Sequence, residues 1–349
     1  MRPPGLRRAA CILAPVLLAA GCAGVQSALE PAGVEAVHID RLLRLVTLFL
    51  ALVFAGVLVA TAIALAGPHA WREKLASEHL VVHAGMVFPL VALSVLLGYG
   101  IWVMGQGGSA QAGVGLRLDE DIAAAFEALP ASGLRIAVTG ERWWWRVEYV
   151  TADGRRFASA NELRLPVGEP VPVLLASADV IHSFWVPKLA GKLDMIPGRV
   201  NTLTLEATAP GVSRGQCAEY CGGAHALMSF FVVAMPPAEF AAWLEREAAP
   251  AAEPATRAAT AGRRLFMTHG CAGCHAIRGT VARGTIGPDL THVGGRLSLG
   301  AGVLPNEPQA MARWIRDTAH VKPENLMPPF AIFTDAELRD LATYLEGLE

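Results

Sequence analysis

The pattern of apolar and polar positions divides the chain into three stretches of different character. Leu45 to Ala66 carries no charge, and Leu80 to Met104 carries only His83 inside. About 20 residues rising 1.5 Å each cross a hydrocarbon core, so both runs predict membrane-spanning helices. Gly67 to His79 is a short polar connection, which makes them a hairpin. From about residue 133 to 236 the apolar runs shorten. Leu134–Thr139, Trp144–Val150, Val171–Ser177, Val200–Ala207 and Met228–Ala234 are β-branched or aromatic, and Gly and Pro punctuate them at Asp153-Gly154, Pro166, Gly168, Pro170, Pro197-Gly198 and Pro210-Gly211. Such spacing predicts a β-sandwich or barrel. Pro236–Glu247 reads as a helix, and Ala248–Thr256 as a linker by composition. The last stretch returns to helical spacing. Gly262–His269 and Pro308–Thr318 are helical, and a final helix opens with the capping box Thr334-x-x-Glu337 and presents Leu338, Leu341, Leu345 and Leu348 on one face.

Composition sharpens this picture. Hydrophobic residues make up 53% of the 349 and charged residues 17%, against about 25% charged in an ordinary soluble domain. Disorder is excluded. The 29 Lys and Arg against 31 Asp and Glu give a net charge of -2, so no basic field points to nucleic acid. Six cysteines are too few for a disulfide scaffold of this length. The first 22 residues read as an export signal, with Arg2, Arg7 and Arg8 before a short apolar stretch. Leu18-Ala-Ala-Gly-Cys22 resembles a lipoprotein cleavage box, with ordinary cleavage as the alternative. The signal places the C-terminal part on the outer side of a bacterial cell membrane. Glu78 and His83, at one end of the second membrane run, are candidates for proton uptake or for snorkelling at the interface.

Chemistry concentrates in two clusters. The first is Cys217-Ala-Glu219-Tyr-Cys221-Gly-Gly-Ala-His225-Ala-Leu-Met228, with His182 at the end of an upstream strand. Thiolate, imidazole and a weak thioether are the ligand set of electron-transfer copper. Two thiolates exceed what one ion needs and suit a pair. A disulfide would leave the histidines and Met228 idle, and zinc rarely uses Met. The second cluster is Cys271-Ala-Gly-Cys274-His275, the spacing of covalent haem c attachment. For the sixth iron position the best candidate is Met327, in a proline-fixed loop, ahead of Met311 and His320. A Met ligand raises the haem potential.

The first cluster resembles subunit II of the haem-copper oxidases, whose pattern Cys-x-Glu-x-Cys-x3-His-x2-Met with an upstream His is filled at every position. The resemblance implies a cupredoxin-like domain over 133–236 with a binuclear CuA centre. Cys217 and Cys221 would bridge, His182 and His225 would each bind one copper, and Met228 and the Glu219 carbonyl would be weak ligands. It also implies a magnesium ion at the Glu219 carboxylate. Trp143, in Glu141-Arg-Trp-Trp-Trp-Arg, would be the exposed ring through which electrons arrive. Lys192, Asp194 and Arg199 would face subunit I. Residues 257–349 resemble a class I cytochrome c, with Gly287-Pro-Asp-Leu290 packing its proline against the haem histidine.

Together these features predict a multi-domain membrane protein. A two-helix transmembrane hairpin occupies 41–104, the copper domain 133–236, a helix and linker 237–256, and an all-α cytochrome c domain 257–349. The resemblance as a whole is to a caa-type oxidase subunit II with a fused cytochrome c. It implies an electron-input subunit of a respiratory cytochrome c oxidase, partnered by subunit I and subunit III and by a cytochrome c donor. The oxygen-reducing haem site would lie in subunit I. The alternatives are the CuA and haem c subunit of a nitric oxide reductase, and a copper-delivery protein. A flexible linker of about 10 residues would hold the two carriers at an effective concentration on the order of mM.

Overall fold

The structure, a computed structural model, describes residues 23–106, 116–117 and 133–349. The export signal, with Cys11 and Cys22, lies outside the described residues.

The first helix, α1, runs Val34–Ala66 over 33 residues, or about 50 Å. That exceeds a hydrocarbon core of about 30 Å. The excess is the N-terminal part, which docks on the following domain. Ala32 N donates to Lys188 O, Val34 N to Glu206 O and Ala36 N to Leu189 O. Asp40 is buried there and pairs with Arg44 at 2.7 Å. The connection after α1 contains a further helix, α2 (His69–Leu75). Ser77 caps α3 (Glu78–Val82) through Leu80 N. A π-helical turn, His83–Val87, leads into α4 (Phe88–Gln106). Among the described residues, Glu78–Val103 and α1 are the two helices long and apolar enough to cross a membrane. Glu78 and His83 are both exposed on the second of them.

Eleven strands follow: β1 (Leu116–Arg117), β2 (Arg135–Glu141), β3 (Trp144–Val150), β4 (Arg156–Ala160), β5 (Glu162–Pro166), β6 (Val171–Ser177), β7 (His182–Trp185), β8 (Leu193–Met195), β9 (Arg199–Leu205), β10 (Gly211–Cys217) and β11 (Ser229–Met235). They form two sheets, ordered β1-β9-β6-β2-β3-β4 and β5-β11-β10-β7-β8. Alternation explains the sandwich. Trp145, Val147 and Tyr149 of β3 are fully buried, while Trp144, Arg146 and Glu148 between them are half-buried, as the two-residue side-chain period requires. Trp145 packs edge-on against Phe184 and Phe230 across the core. The turn between β2 and β3 is only Arg142-Trp143, because Glu141 pairs with Trp144.

Helix α5 (Pro237–Ala248) closes this sandwich, burying Phe240 and Trp243. The C-terminal domain follows as α6 (Arg257–Thr268), α7 (Cys271–Cys274), a short ribbon of β12 (Ser298–Leu299) and β13 (Leu304–Pro305), α8 (Pro308–Arg316), α9 (Thr318–Val321) and α10 (Asp335–Glu346). Thr256 caps α6 through Ala259 N, so that helix begins five residues before the expected Gly262. The capping box Thr334/Glu337 is formed at α10. Helices α6 and α10 cross so closely that a Cβ on Gly262 would lie 2.0 Å from Asp340 O.

The segment 249–256 is not a free tether. Ala251 N donates to Arg278 O. His292 Nε2 lies 3.0 Å from Ala249 O, and Glu253 pairs with Arg263. The cytochrome-like domain also meets the sandwich directly. Arg278 reaches Ala158 O and Glu247 O at 2.9 and 2.5 Å. Leu297 N donates to the Glu162 carboxylate at 2.8 Å, and Ser229 N donates to Ala301 O at 3.0 Å. Composition predicted flexibility here because Ala and Pro make few side-chain contacts. The backbone groups and the neighbouring basic side chains supply the contacts instead.

Candidate metal centres

The first site forms where β7, β10 and the loop before β11 converge. β7 pairs with β10 through Phe184 and Cys217, which sets His182 beside that cysteine. The loop from Cys217 to Met228 then folds back so that Cys217 N donates to Met228 O. The two sulfurs lie 3.8 Å apart. Each has its own imidazole. His182 Nδ1 is 3.8 Å from Cys217 Sγ, and His225 Nδ1 is 3.5 Å from Cys221 Sγ. Met228 Sδ is 3.9 Å from Cys221 Sγ, and Glu219 O is 3.2 Å from Cys217 Sγ. His182, Cys217, Cys221 and Met228 are buried. The Glu219 side chain is exposed. Two central sulfurs flanked by two imidazoles, a thioether and a carbonyl fit a pair of soft, bridged ions better than one closed tetrahedral ion.

Sequence reasoning missed Asp179. Its Oδ1 lies 2.9 Å from His182 Nε2, which orients the ring so that Nδ1 faces the sulfurs. Burial alone would raise the Asp179 pKa. The His182 ring and the N–H groups of Val180 and Arg142 hold it below the usual carboxylate value. Burial likewise works against a charged His182, but Cys217 and Asp179 outweigh it and raise its pKa. The hydrogen bond shared by the thiols splits them. It holds Cys217 down to about 3 and pushes Cys221 up.

The second site is a cavity between the C-terminal domain and the sandwich, lined by Cys274, His275, Pro288, Met311 and Met327, among others. His275 Nδ1 lies 2.7 Å from Pro288 O. That bond leaves Nε2 free for a metal, and it comes from the Gly287–Leu290 loop. Gly287 permits the approach, since a Cβ there would lie 2.6 Å from His275 Cε1. Burial lowers the His275 pKa, while the Pro288 carbonyl acts in the opposite direction, so the ring is kept neutral, as a ligand must be. Cys271 and Cys274 are free thiols on one turn. The Met327 loop is held at both ends of its peptide unit. Met327 N donates to Asn325 Oδ1 at 2.9 Å, and Met327 O accepts from Thr318 Oγ1 at 2.7 Å. Met311 is buried in the domain core, and His320 is exposed outside the cavity. The donor set fits a thioether-bonded haem with one histidine and one methionine at the iron.

Trp143 is where the structure departs from expectation. Its ring is 6% exposed, so it offers no open docking surface. Its Nε1 donates to Cys221 O at 3.0 Å. Trp143 and Trp144 also line the cavity that holds His275 and Met327. The turn also meets the chain's own C-terminal domain, since Trp143 O accepts from Lys322 Nζ. Trp144 is half-buried under the Arg146 guanidinium at 4.8 Å, and Trp145 is core. Lys192 and Asp194 pair at 2.8 Å, and Lys192 and Arg199 are exposed.

Comparison with known proteins gives matches for the two domains that carry these sites. Residues 150–235 match the family profile of the cytochrome c oxidase subunit II periplasmic domain, and residues 259–349 that of cytochrome c. A cytochrome c oxidase subunit 2 from Alkalihalophilus pseudofirmus is 41% identical over 215 residues, covering 61% of each chain. The subunit 2 of Bacillus subtilis is 32% identical over 228 residues, covering 62% of each. The chain thus spans about three fifths of the length of the curated relatives it matches. The solved periplasmic domain of subunit II of cytochrome oxidase (CoxB) from Bradyrhizobium japonicum is 34% identical and aligns with a TM-score of 0.31, covering 34% of this chain and 95% of that one. The chain joins a cytochrome c oxidase subunit II periplasmic domain to a cytochrome c domain.

Proposed function

We propose that this chain is the electron-input subunit of a respiratory cytochrome c oxidase in a bacterial cell membrane. Cys271, Cys274, His275 and Met327 would hold one haem c, and His182, Cys217, Glu219 O, Cys221, His225 and Met228 a binuclear CuA, which when bound supply the one-electron carriers between a cytochrome c donor and the haem of subunit I. The observation that supports this most directly is the shared wall. Trp143 donates to the copper loop at Cys221 O and also lines the cavity that holds His275 and Met327. A copper-delivery protein needs no such adjoining cavity.

The residues have separable tasks in this reading. Asp179 and Pro288 fix the tautomers of His182 and His275. The buried thiols and thioether keep water from the copper ligands. The long N-terminal turns of α1, docked on the sandwich, set that domain rigidly against the membrane. Lys192, Asp194, Arg199 and the exposed Glu219 carboxylate form a charged face suited to subunit I, with Glu219 placed for a magnesium ion at the junction. Oxygen reduction and proton translocation would belong to subunit I and its partners, subunit III among them.

The test is to purify the complex from membranes, count metals and haems, and follow gas consumption with reduced cytochrome c. Two coppers and one haem c in this chain, haem a in its partner, and oxygen uptake are expected. Nitric oxide consumption without oxygen uptake would move the chain to a nitric oxide reductase. Absence of copper would end the reading.

A further inference from the structure

Lys322 lies in the cytochrome c domain, directly after α9, and is 2% exposed. Among the described residues, no carboxylate pairs with its amine. Instead Nζ donates to three backbone carbonyls, Trp143 O at 2.5 Å, Leu227 O at 2.9 Å and Gly300 O at 2.9 Å. An ammonium has three N–H groups, and each finds one acceptor. Burial pushes the Lys322 pKa down to about 7. A buried cation without a counter-charge is costly, and an apolar side chain of the same length would fill the space. The three carbonyl acceptors offset that cost.

What it holds is specific. Two of its acceptors belong to the other domain, one in the Trp143 turn and one within the copper loop. Trp143 bonds Cys221 through its indole, and Leu227 directly precedes Met228. In its own domain, Lys322 O accepts from Asn325 Nδ2 at 2.8 Å, and Asn325 Oδ1 accepts from Met327 N. A short chain of hydrogen bonds thus runs from Met327 to Cys221 across the domain boundary. Close packing supports it. Gly222, at φ +116, meets Trp143 so tightly that a Cβ would lie 2.9 Å from the ring.

We propose that Lys322 is a positioning residue that locks the cytochrome c domain onto the copper loop, so that the chain works as a fixed relay and not as a carrier swinging on a tether. The inference rests on the electron-transfer reading above for its consequence, but the lock is a separate claim about structure. It also means that an external donor must engage the cytochrome c domain, because the Trp143 ring is covered.

The experiment uses the full complex with both cofactors, as wild type and as Lys322→Met. Flash reduction of haem c is followed by transfer of one electron, which oxidises the haem iron by one unit and reduces the copper pair by one, with no bond made or broken. In wild type the transfer is expected to be first-order and independent of added viscogen. In Lys322→Met it should slow by about tenfold or more and become viscosity-dependent, with copper content and haem spectrum unchanged. In parallel, amide hydrogen exchange over 249–256 and at the Trp143 turn should rise by about tenfold in the variant. Unchanged exchange and unchanged viscosity response would overturn the lock. If the variant does not assemble, wild type decides alone, because viscosity-dependent transfer there refutes fixed docking. If wild type shows no haem-to-copper transfer but the variant still loosens 249–256, the functional reading fails and the lock stands.

Discussion

The indole N–H of Trp143 donates to the carbonyl of Cys221 at 3.0 Å. The donor sits in a two-residue hairpin turn and the acceptor in the copper loop, 78 positions away in the chain. This bond ties the aromatic wall of the haem cavity to the backbone of a cysteine that would bridge the metals. Four expectations follow from this site and its neighbours.

Asp179 acts on the copper site through His182. Asp179→Asn keeps an acceptor for Nε2 but removes the charge that favours the ligating ring. Copper affinity is expected to fall by about 10- to 100-fold, with the domain still folded. Competition with a copper chelator, alongside circular dichroism, checks both halves. Unchanged affinity would mean that backbone geometry alone sets the ring.

Met228 is buried, with its sulfur 3.9 Å from Cys221 Sγ. Met228→Leu is close to volume-conserving and should cost less than about 1.5 kcal/mol in stability. Both coppers should stay, because a thioether is a weak ligand, while the potential shifts and turnover slows. Metal analysis with a spectroelectrochemical titration reads this out. Wholesale copper loss would show that the sulfur holds the site together.

Met327 and His275 line one cavity, and His320 lies outside it. Met327→Ala should leave the haem attached through Cys271 and Cys274 but open the iron. Carbon monoxide should then bind the reduced protein and shift its Soret band. A variant that ignores carbon monoxide would place another side chain at the iron.

Copper uptake should release protons in a defined order. Before metal binds, Cys217 is the thiolate and Cys221 keeps its proton, because the shared hydrogen bond lowers one and raises the other. Copper must displace the Cys221 proton, so affinity rises with pH through the neutral range, by about one proton from the thiol pair. The raised pKa of His182 adds a second proton to displace as pH falls into its range, and the dependence steepens there. Calorimetry in buffers of different ionisation enthalpy measures the count. A flat pH dependence near neutrality would contradict the assigned states of the thiols.

Much was legible in the residues because the signals are local. A 22-residue apolar run reports its own burial in lipid, and alternation in Trp144–Val150 reports a strand. Cys-x3-Cys-x3-His-x2-Met and Cys-x-x-Cys-His carry their chemistry within one turn or loop. Strands β4, β5, β7, β8 and β10 were harder to see. β10, Gly-Val-Ser-Arg-Gly-Gln-Cys, is polar and holds two glycines, and only its pairing with β11 makes it a strand.

What the chain determined by itself was the kinds of ligand present and the order of its elements. What only tertiary structure decided was which side chains meet across domains. Neither Asp179 nor Lys322 had a motif to mark it. Trp143 read as an exposed ring, and the structure buries it. Contacts between residues more than a hundred positions apart depend on how two folded surfaces fit. Their hydrogen bonds end on backbone carbonyls, which every residue offers and no sequence pattern distinguishes.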